Sequence, residues 1–152
     1  MKILKKKGFT LVEIMIVVAI IALLAAIAIP NLLRARLNAN EGAAIGNMHT
    51  LVTALGSYQA NQSPATFPDA LENLGNADPE YVDDYLAGVT GDATANRATK
   101  QGYWFTYTNP TIYTYTLIAA PTVPTKTGNR SFFADESGVV RVGTDATGTP
   151  IE

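Results

Sequence analysis

The sequence predicts an α+β fold: one long N-terminal helix, transmembrane in its first half and amphipathic in its second, packed on a small C-terminal antiparallel β-sheet. Three observations carry that expectation. Residues 9–29 form an apolar run broken only by Thr10 and one carboxylate, Glu13. From Leu33 to Tyr58, apolar residues recur at three- and four-residue spacing. Past residue 102, short stretches rich in aromatic and β-branched residues alternate with turn residues.

The first element is a membrane span by length and composition. Phe9 to Ile29 would make about 31 Å of helix, close to the thickness of a bilayer core. Lys2, Lys5, Lys6 and Lys7 precede the span and outnumber Arg34 and Arg36 just after it, which places the N-terminus in the cytoplasm. An ionised side chain at membrane depth costs a few kcal/mol and calls for a partner and a purpose. Glu13 is therefore the most informative residue of the chain.

Gly8-Phe9-Thr10-Leu11-Val12-Glu13, followed by the apolar run, resembles the processing site of type IV prepilins and type II secretion pseudopilins. The resemblance is specific over the first third of the chain and looser beyond it. It implies a pilin-like fold, cleavage after Gly8 by a prepilin peptidase, and N-methylation of Phe9 as the new N-terminus by the same enzyme. Pro30 falls where the family commonly carries a helix-kinking proline. The implied function is a structural subunit, not an enzyme. It would be inserted as a single-pass inner-membrane precursor and polymerised with other copies and minor pilins through an inner-membrane assembly platform. The end product is an extracellular pilus or a periplasmic pseudopilus.

The physics of Glu13 fits that assignment. Cutting after Gly8 creates an ammonium on Phe9, and residues i and i+4 share a helix face. Glu13 could neutralise its own terminus or, as the family is thought to do, that of a neighbour. A buried ion pair adds little net stability but strongly penalises a register that leaves one charge alone. Two other readings compete. Ala26-Ile27-Ala28 satisfies a signal-peptide cleavage pattern, which would release a soluble exported domain starting at Ile29. A membrane-tethered domain that never polymerises is the other.

Beyond the span, Leu33, Leu37, Ala44, Met48, Leu51, Leu55 and Tyr58, with Ile45 and Val52, form an apolar stripe. Arg34, Arg36, Asn38, Asn40, Asn47 and Thr50 supply polar positions. The stripe reads as core for the C-terminal head. Pro30 removes a helical hydrogen bond and crowds the preceding turn, so a bend or local melting is expected there. Gly42 and Gly46 each weaken the helix by roughly 1 kcal/mol relative to alanine. The helix should end near Asn61–Pro64.

The expected organisation is a cleaved leader (1–8), a transmembrane and polymerisation helix (9–30), an amphipathic head helix (31–62), a connecting loop with short helices (63–102), and a sheet with a C-terminal tail (103–152). In the loop, Asp69 with Glu72 and Gly75 reads as a capped helical turn, and Asp78-Pro79-Glu80 opens a second that closes near Gly88. Thr90–Gln101 is weakly patterned and reads as exposed. Tyr103–Thr108 and Tyr113–Ala119 read as strands with Asn109-Pro110 as their turn. Ser131–Ala134 and Val139–Val142 read as a hairpin around Asp135-Glu136-Ser137-Gly138. A sheet of three or four strands results. Tyr103, Trp104, Phe105, Tyr107, Tyr113 and Tyr115 crowd this span; core packing is favoured over a stacking platform for bases or sugars.

Composition narrows the chemistry. The absence of cysteine excludes disulfides and thiol chemistry, and sets the chain apart from pilins with a disulfide-closed C-terminal loop. Loss of the leader lysines would take the net charge from −2 to about −6, so nucleic acid is not an expected partner. The single histidine, His49, has no Ser or Asp placed for a triad, and no phosphate loop, zincin helix or EF-hand pattern is present. No cofactor is expected. Some major pseudopilins bind calcium in a C-terminal loop, and Asp135, Glu136 and Asp145 are oxygen donors of suitable chemistry, though their spacing follows no calcium motif.

Overall fold

The computed structural model describes residues 8–88 and 96–151. The leader lysines and the start of the 90–101 stretch lie outside these residues. The chain divides into two compact units between Ala35 and Arg36.

Helix α1 runs from Leu11 to Asn61 with Pro30 inside it. Helix is assigned without interruption through residue 30, so the local melting expected there is absent in this state. In the first unit every large apolar side chain from Phe9 to Leu33 is at least half exposed. The expected stripe therefore starts later than Leu33. Its buried members are Glu41, Ala44, Met48, Leu51, Ala54 and Leu55, with Ile45, Val52 and Tyr58 partly covered.

The second unit pairs this part of α1 with one antiparallel sheet of six strands rather than three or four. The strands are β1 (Arg97–Lys100), β2 (Tyr103–Thr111), β3 (Thr114–Pro121), β4 (Phe132–Asp135), β5 (Arg141–Val142) and β6 (Thr149–Pro150), and their order in the sheet follows the chain. Residues 97–100, expected to be loop, form an edge strand because the Gln101-Gly102 turn folds them onto β2, pairing Lys100 with Tyr103. Both turn residues have positive φ, 50° and 79°, the tight two-residue geometry that matches strand twist.

The period-2 alternation of β2 and β3 decides what faces α1. Tyr103, Phe105 and Tyr107 point inward from β2, and Tyr115, Leu117 and Ala119 from β3. They join Phe132 and Ala134 of β4 and the buried side chains of α1 in one cluster. Each fully buried aromatic or aliphatic side chain contributes about 1.5–3 kcal/mol, which makes this helix–sheet contact the main source of the head's stability. Two of the buried phenols are satisfied: Tyr103 donates to the Arg130 carbonyl at 2.9 Å and Tyr107 to the Pro68 carbonyl at 2.6 Å. Burial pushes the Tyr103 hydroxyl up to about 12. Among the six crowded rings, only Trp104 and Tyr113 lie outside the core, and the Arg97 guanidinium covers the Trp104 ring at 3.7 Å. No row of open rings remains for a stacking platform.

Three local expectations move. The β2–β3 turn falls at Ile112-Tyr113, because Thr111 pairs with Thr114; Asn109-Pro110 sits in an irregularity of β2 instead. There the Asn109 amide donates to the Pro68 carbonyl at 2.8 Å. Helix α2 is one turn, Glu72–Gly75, with Leu71 rather than Asp69 at its start and no side-chain cap. The next turn is opened by Asp83, not Asp78: the Leu86 amide donates to Asp83 Oδ1 at 3.0 Å, and Gly88 ends it at φ 77°. The β4–β5 hairpin forms around the expected turn, closed by the Gly138 amide donating to the Asp135 carbonyl at 2.9 Å, but its second strand is shorter than the expected Val139–Val142 and Asp135 belongs to β4.

Candidate assembly site

The start of α1 positions Glu13. Thr10 precedes the helix, and its backbone N–H donates to Glu13 Oε2 at 2.8 Å while its hydroxyl donates to the same oxygen at 2.7 Å. In return the Glu13 amide donates to Thr10 Oγ1 at 3.2 Å. This reciprocal pairing is a capping box, and it satisfies amide donors that the first helical turn leaves without partners. The signal T-x-x-E was present in the sequence; only the acid's role in assembly was read from it. The carboxylate also lies near the positive end of the helix dipole.

Gly8, Phe9 and Glu13 are all exposed, Phe9 at 84%. The amide that Glu13 holds is the one immediately after the Phe9 nitrogen, which cleavage after Gly8 would turn into a free amine. Exposed apolar surface then continues along α1 to Leu33, and Pro30 lies within it. This helix is long and apolar enough to cross a membrane. A helix apolar on every face calls for cover, by lipid or by other protein.

The other candidate residues do not assemble into a site. Asp135 accepts from the Ser137 amide at 3.0 Å and from the Ser137 hydroxyl, and lies 3.7 Å from Arg141 Nη1. Asp145 accepts from the Thr147 amide at 2.9 Å and its hydroxyl at 2.6 Å, and these bonds hold its carboxyl below the usual range. Glu136 is exposed. Among the described residues no three His, Asp or Glu side chains gather as a metal would need. His49 is exposed on α1 beside an open groove with Thr50, Thr53, Ala54, Ser57 and Tyr81, and among the described residues no carboxylate lines it.

Glu41 is the functional-looking residue that the sequence reading passed over. It is only 5% exposed and accepts from the Asn129 amide at 2.8 Å, the Arg130 amide at 3.3 Å and Arg130 Nε at 2.7 Å. Burial pushes its carboxyl up, but the Asn129 and Arg130 bonds and the Arg130 charge outweigh this and hold it below its ordinary value. Nearby, the Asn40 amide donates to the Thr127 carbonyl at 3.0 Å. Together they clasp the 122–130 loop to α1. An acid at the stripe position three residues before Ala44 was the available signal.

Comparison with known proteins fits these features. Residues 3–29 match the prokaryotic N-terminal methylation motif. The chain is 47% identical over 70 residues to the type IV wide pilus major component PilA4 of Thermus thermophilus, covering 45% of this chain and 53% of that protein. It is 36% identical over 97 residues to the type IV major pilin protein PilA of Myxococcus xanthus, covering 62% and 43%. It is likewise 36% identical over 80 residues to type II secretion system core protein G of Aeromonas hydrophila, covering 50% and 56%. The chain thus spans about half the length of the curated relatives it matches. No solved structure matches it. The chain carries the prokaryotic N-terminal methylation motif on a long exposed apolar helix, and over roughly half its length it is similar to type IV major pilins and type II secretion core proteins alike.

Proposed function

We propose that this protein is a structural subunit of a type IV pilus-like filament. It is made as a membrane-anchored precursor, cut after Gly8 and N-methylated on Phe9, and it polymerises through α1. It is not an enzyme. The observation that carries this reading is the single acid, Glu13, at the head of an otherwise uninterrupted exposed apolar helix that follows the methylation motif. In the filament the apolar helices cover one another and the heads face outward. Glu13 leaves the Thr10 cap, wholly or with one oxygen, to meet the Phe9 ammonium of a neighbouring copy. Pairing of this kind fixes axial stagger, because any other register strands a charge in an apolar surrounding. Its partners are further copies, minor pilins, the prepilin peptidase and an inner-membrane assembly platform.

The experiment is Glu13→Leu in the full chain, with intact mass and filament yield as readouts. A mature chain beginning at a methylated Phe9, together with a large loss of filaments in the variant, supports the reading. A mature chain beginning at Ile29 would make residues 1–28 a signal peptide. Unchanged behaviour of Glu13→Leu would favour an anchored domain that never polymerises. Pro30 is the place where α1 is proposed to bend or open on assembly, and unbroken helical density over residues 24–32 in a filament would count against that.

The second reading within this class is a major pseudopilin of a type II secretion system. It is favoured by the similarity to core protein G, which at 36% over 80 residues equals in identity that to the Myxococcus xanthus pilin, 36% over 97. Imaging cells for long surface fibres separates the two.

A further inference from the structure

Resting on the reading of α1 as a membrane anchor, we propose that the head carries a lipid-docking edge. The 122–130 loop, together with Arg36 of α1, lies against an anionic phospholipid surface, the one from which α1 emerges.

The contacts of the loop place it. The Asn40 side-chain amide donates to the Thr127 carbonyl at 3.0 Å, and the Asn129 backbone amide donates to Glu41 at 2.8 Å. With half-buried Leu37, Asn40 and Glu41 are the first residues of α1 in the second unit to lose exposure, while Arg36, Asn38 and Ala39 stay open. The loop is therefore the edge of the head that α1 meets first after the apolar run. From Ile29 to Asn40 the helix rises about 16 Å. Headgroups extend a bilayer roughly 5–8 Å beyond its hydrocarbon on each side, which leaves about 10 Å to cross. A tight turn bearing a lysine side chain covers that distance.

The turn is held in shape and presents both apolar and basic groups. The Thr127 amide donates to the Val123 carbonyl at 2.9 Å, and the Val123 amide donates to Thr127 Oγ1 at 3.1 Å. Val123 is 45% exposed, and Pro124 and Lys126 are exposed beside it. Apolar area next to cations is what binds a protein surface at headgroup level, and anionic lipid strengthens it. Charge selects that lipid. Past Glu13 the only acid of α1 is Glu41, and residues 96–134 contain none. Glu41 is buried on Arg130 Nε at 2.7 Å, and the terminal nitrogens of the half-exposed Arg130 make no hydrogen bond among the described residues. A guanidinium with a free edge suits a phosphate. Arg36 and Lys126 are exposed and make no ion pair among the described residues. Asp83 and Asp84 flank β1 rather than the loop, and Lys100 takes up the first at 2.6 Å. The edge is thus basic on a chain whose net charge is −2. Docked in this way, an unassembled subunit holds its head close over the lipid and gives the contact up when it leaves the membrane.

The chain has no cysteine, so a single introduced thiol reports without background. Val123→Cys in the full chain is labelled with a polarity-sensitive fluorophore and reconstituted in phosphatidylcholine vesicles with or without phosphatidylglycerol. Phosphatidylglycerol should shift the emission to the blue, and about 1 M salt, where the Debye length is about 3 Å, should reverse the shift. Arg36→Gln combined with Lys126→Gln should abolish it. A label on Tyr113→Cys, in the turn at the other end of β2, should not respond to lipid charge. Emission at Val123→Cys that is the same in both lipids, or a shift that survives the double variant in full, overturns the docking edge and leaves the anchor standing. So does a shift that follows protein density rather than lipid charge, which would mean contact with a second copy. A chain that stays with vesicles of neither kind would sink the anchor reading and the docking edge with it.

Discussion

Arg130 donates through Nε to the buried carboxylate of Glu41 at 2.7 Å, while its own backbone amide and that of Asn129 converge on the other carboxylate oxygen. One acid on α1 thereby holds both the charge and the main chain of a loop that lies 88 residues away in sequence. Glu41→Gln keeps the shape but removes the charge, and it should lower the stability of the full chain in detergent by roughly 1–3 kcal/mol. The clasp is also sensitive to acid. Its carboxyl titrates below the ordinary value in the folded chain, so its contribution is fully present above about pH 4.5 and is lost as pH falls through the folded value. Melting curves at neutral pH and near pH 3.5 should differ more for the unaltered chain than for Glu41→Gln.

Gly128 is in the same loop, under the Tyr103 ring. A Cβ there would overlap the Tyr103 hydroxyl and lie 2.6 Å from the ring carbon that bears it. Gly128→Ala should displace the ring from the core and cost about 1–3 kcal/mol, the usual range for overpacking. Chemical denaturation of the full chain in micelles measures this. A loss below a few tenths of a kcal/mol would mean the loop can shift outward.

The helix glycines predict the opposite sign. A Cβ built at Gly46 or Gly42 meets nothing within 4 Å. Gly46→Ala should therefore stabilise the head by roughly 0.5–1 kcal/mol through helix propensity alone. A rise in melting temperature checks it. Gly138, with φ at 75°, is the control: alanine there is strained although its Cβ would meet only Val52 Cγ1 at an ordinary 3.8 Å, and should destabilise.

The C-terminal acids give a prediction about cations. Asp135 and Asp145 each already accept two hydrogen bonds inside their own turns, from Ser137 and Thr147. Bonded within their turns in this way, they predict that a strong chelator leaves the melting temperature of the full chain unchanged. A drop reversed by added calcium would reassign these loops.

What could be read from the sequence follows how local each signal is. The apolar run and the stripe from Ala44 to Leu55 announced α1, and the alternation of Tyr103–Tyr107 and Tyr115–Ala119 announced two central strands. Strand β1 left almost no trace, since Ala98 is the one buried side chain in Arg97–Lys100. Strand β6 is two exposed residues held by its partner. Asn109-Pro110 has turn chemistry, yet the Thr111–Thr114 pairing moved the turn to Ile112-Tyr113, a choice made by sheet register rather than local preference. Of the candidate assembly site, Gly8, Phe9 and Glu13 were evident as a motif. The Thr10 cap was visible but unread, and the Glu41 clasp was hidden because its partner is remote in sequence.

Each strand of the sheet pairs only with its neighbour in the chain, so zipping the meander requires closing short loops alone. The contacts that tie α1 to the sheet and its loops are the exception, spanning 54 residues at Asn47–Gln101 and 88 at Glu41–Asn129. The hairpins should therefore form early and the clasp last. A newly made chain would hold its strands together for a time before the 122–130 loop is locked to α1.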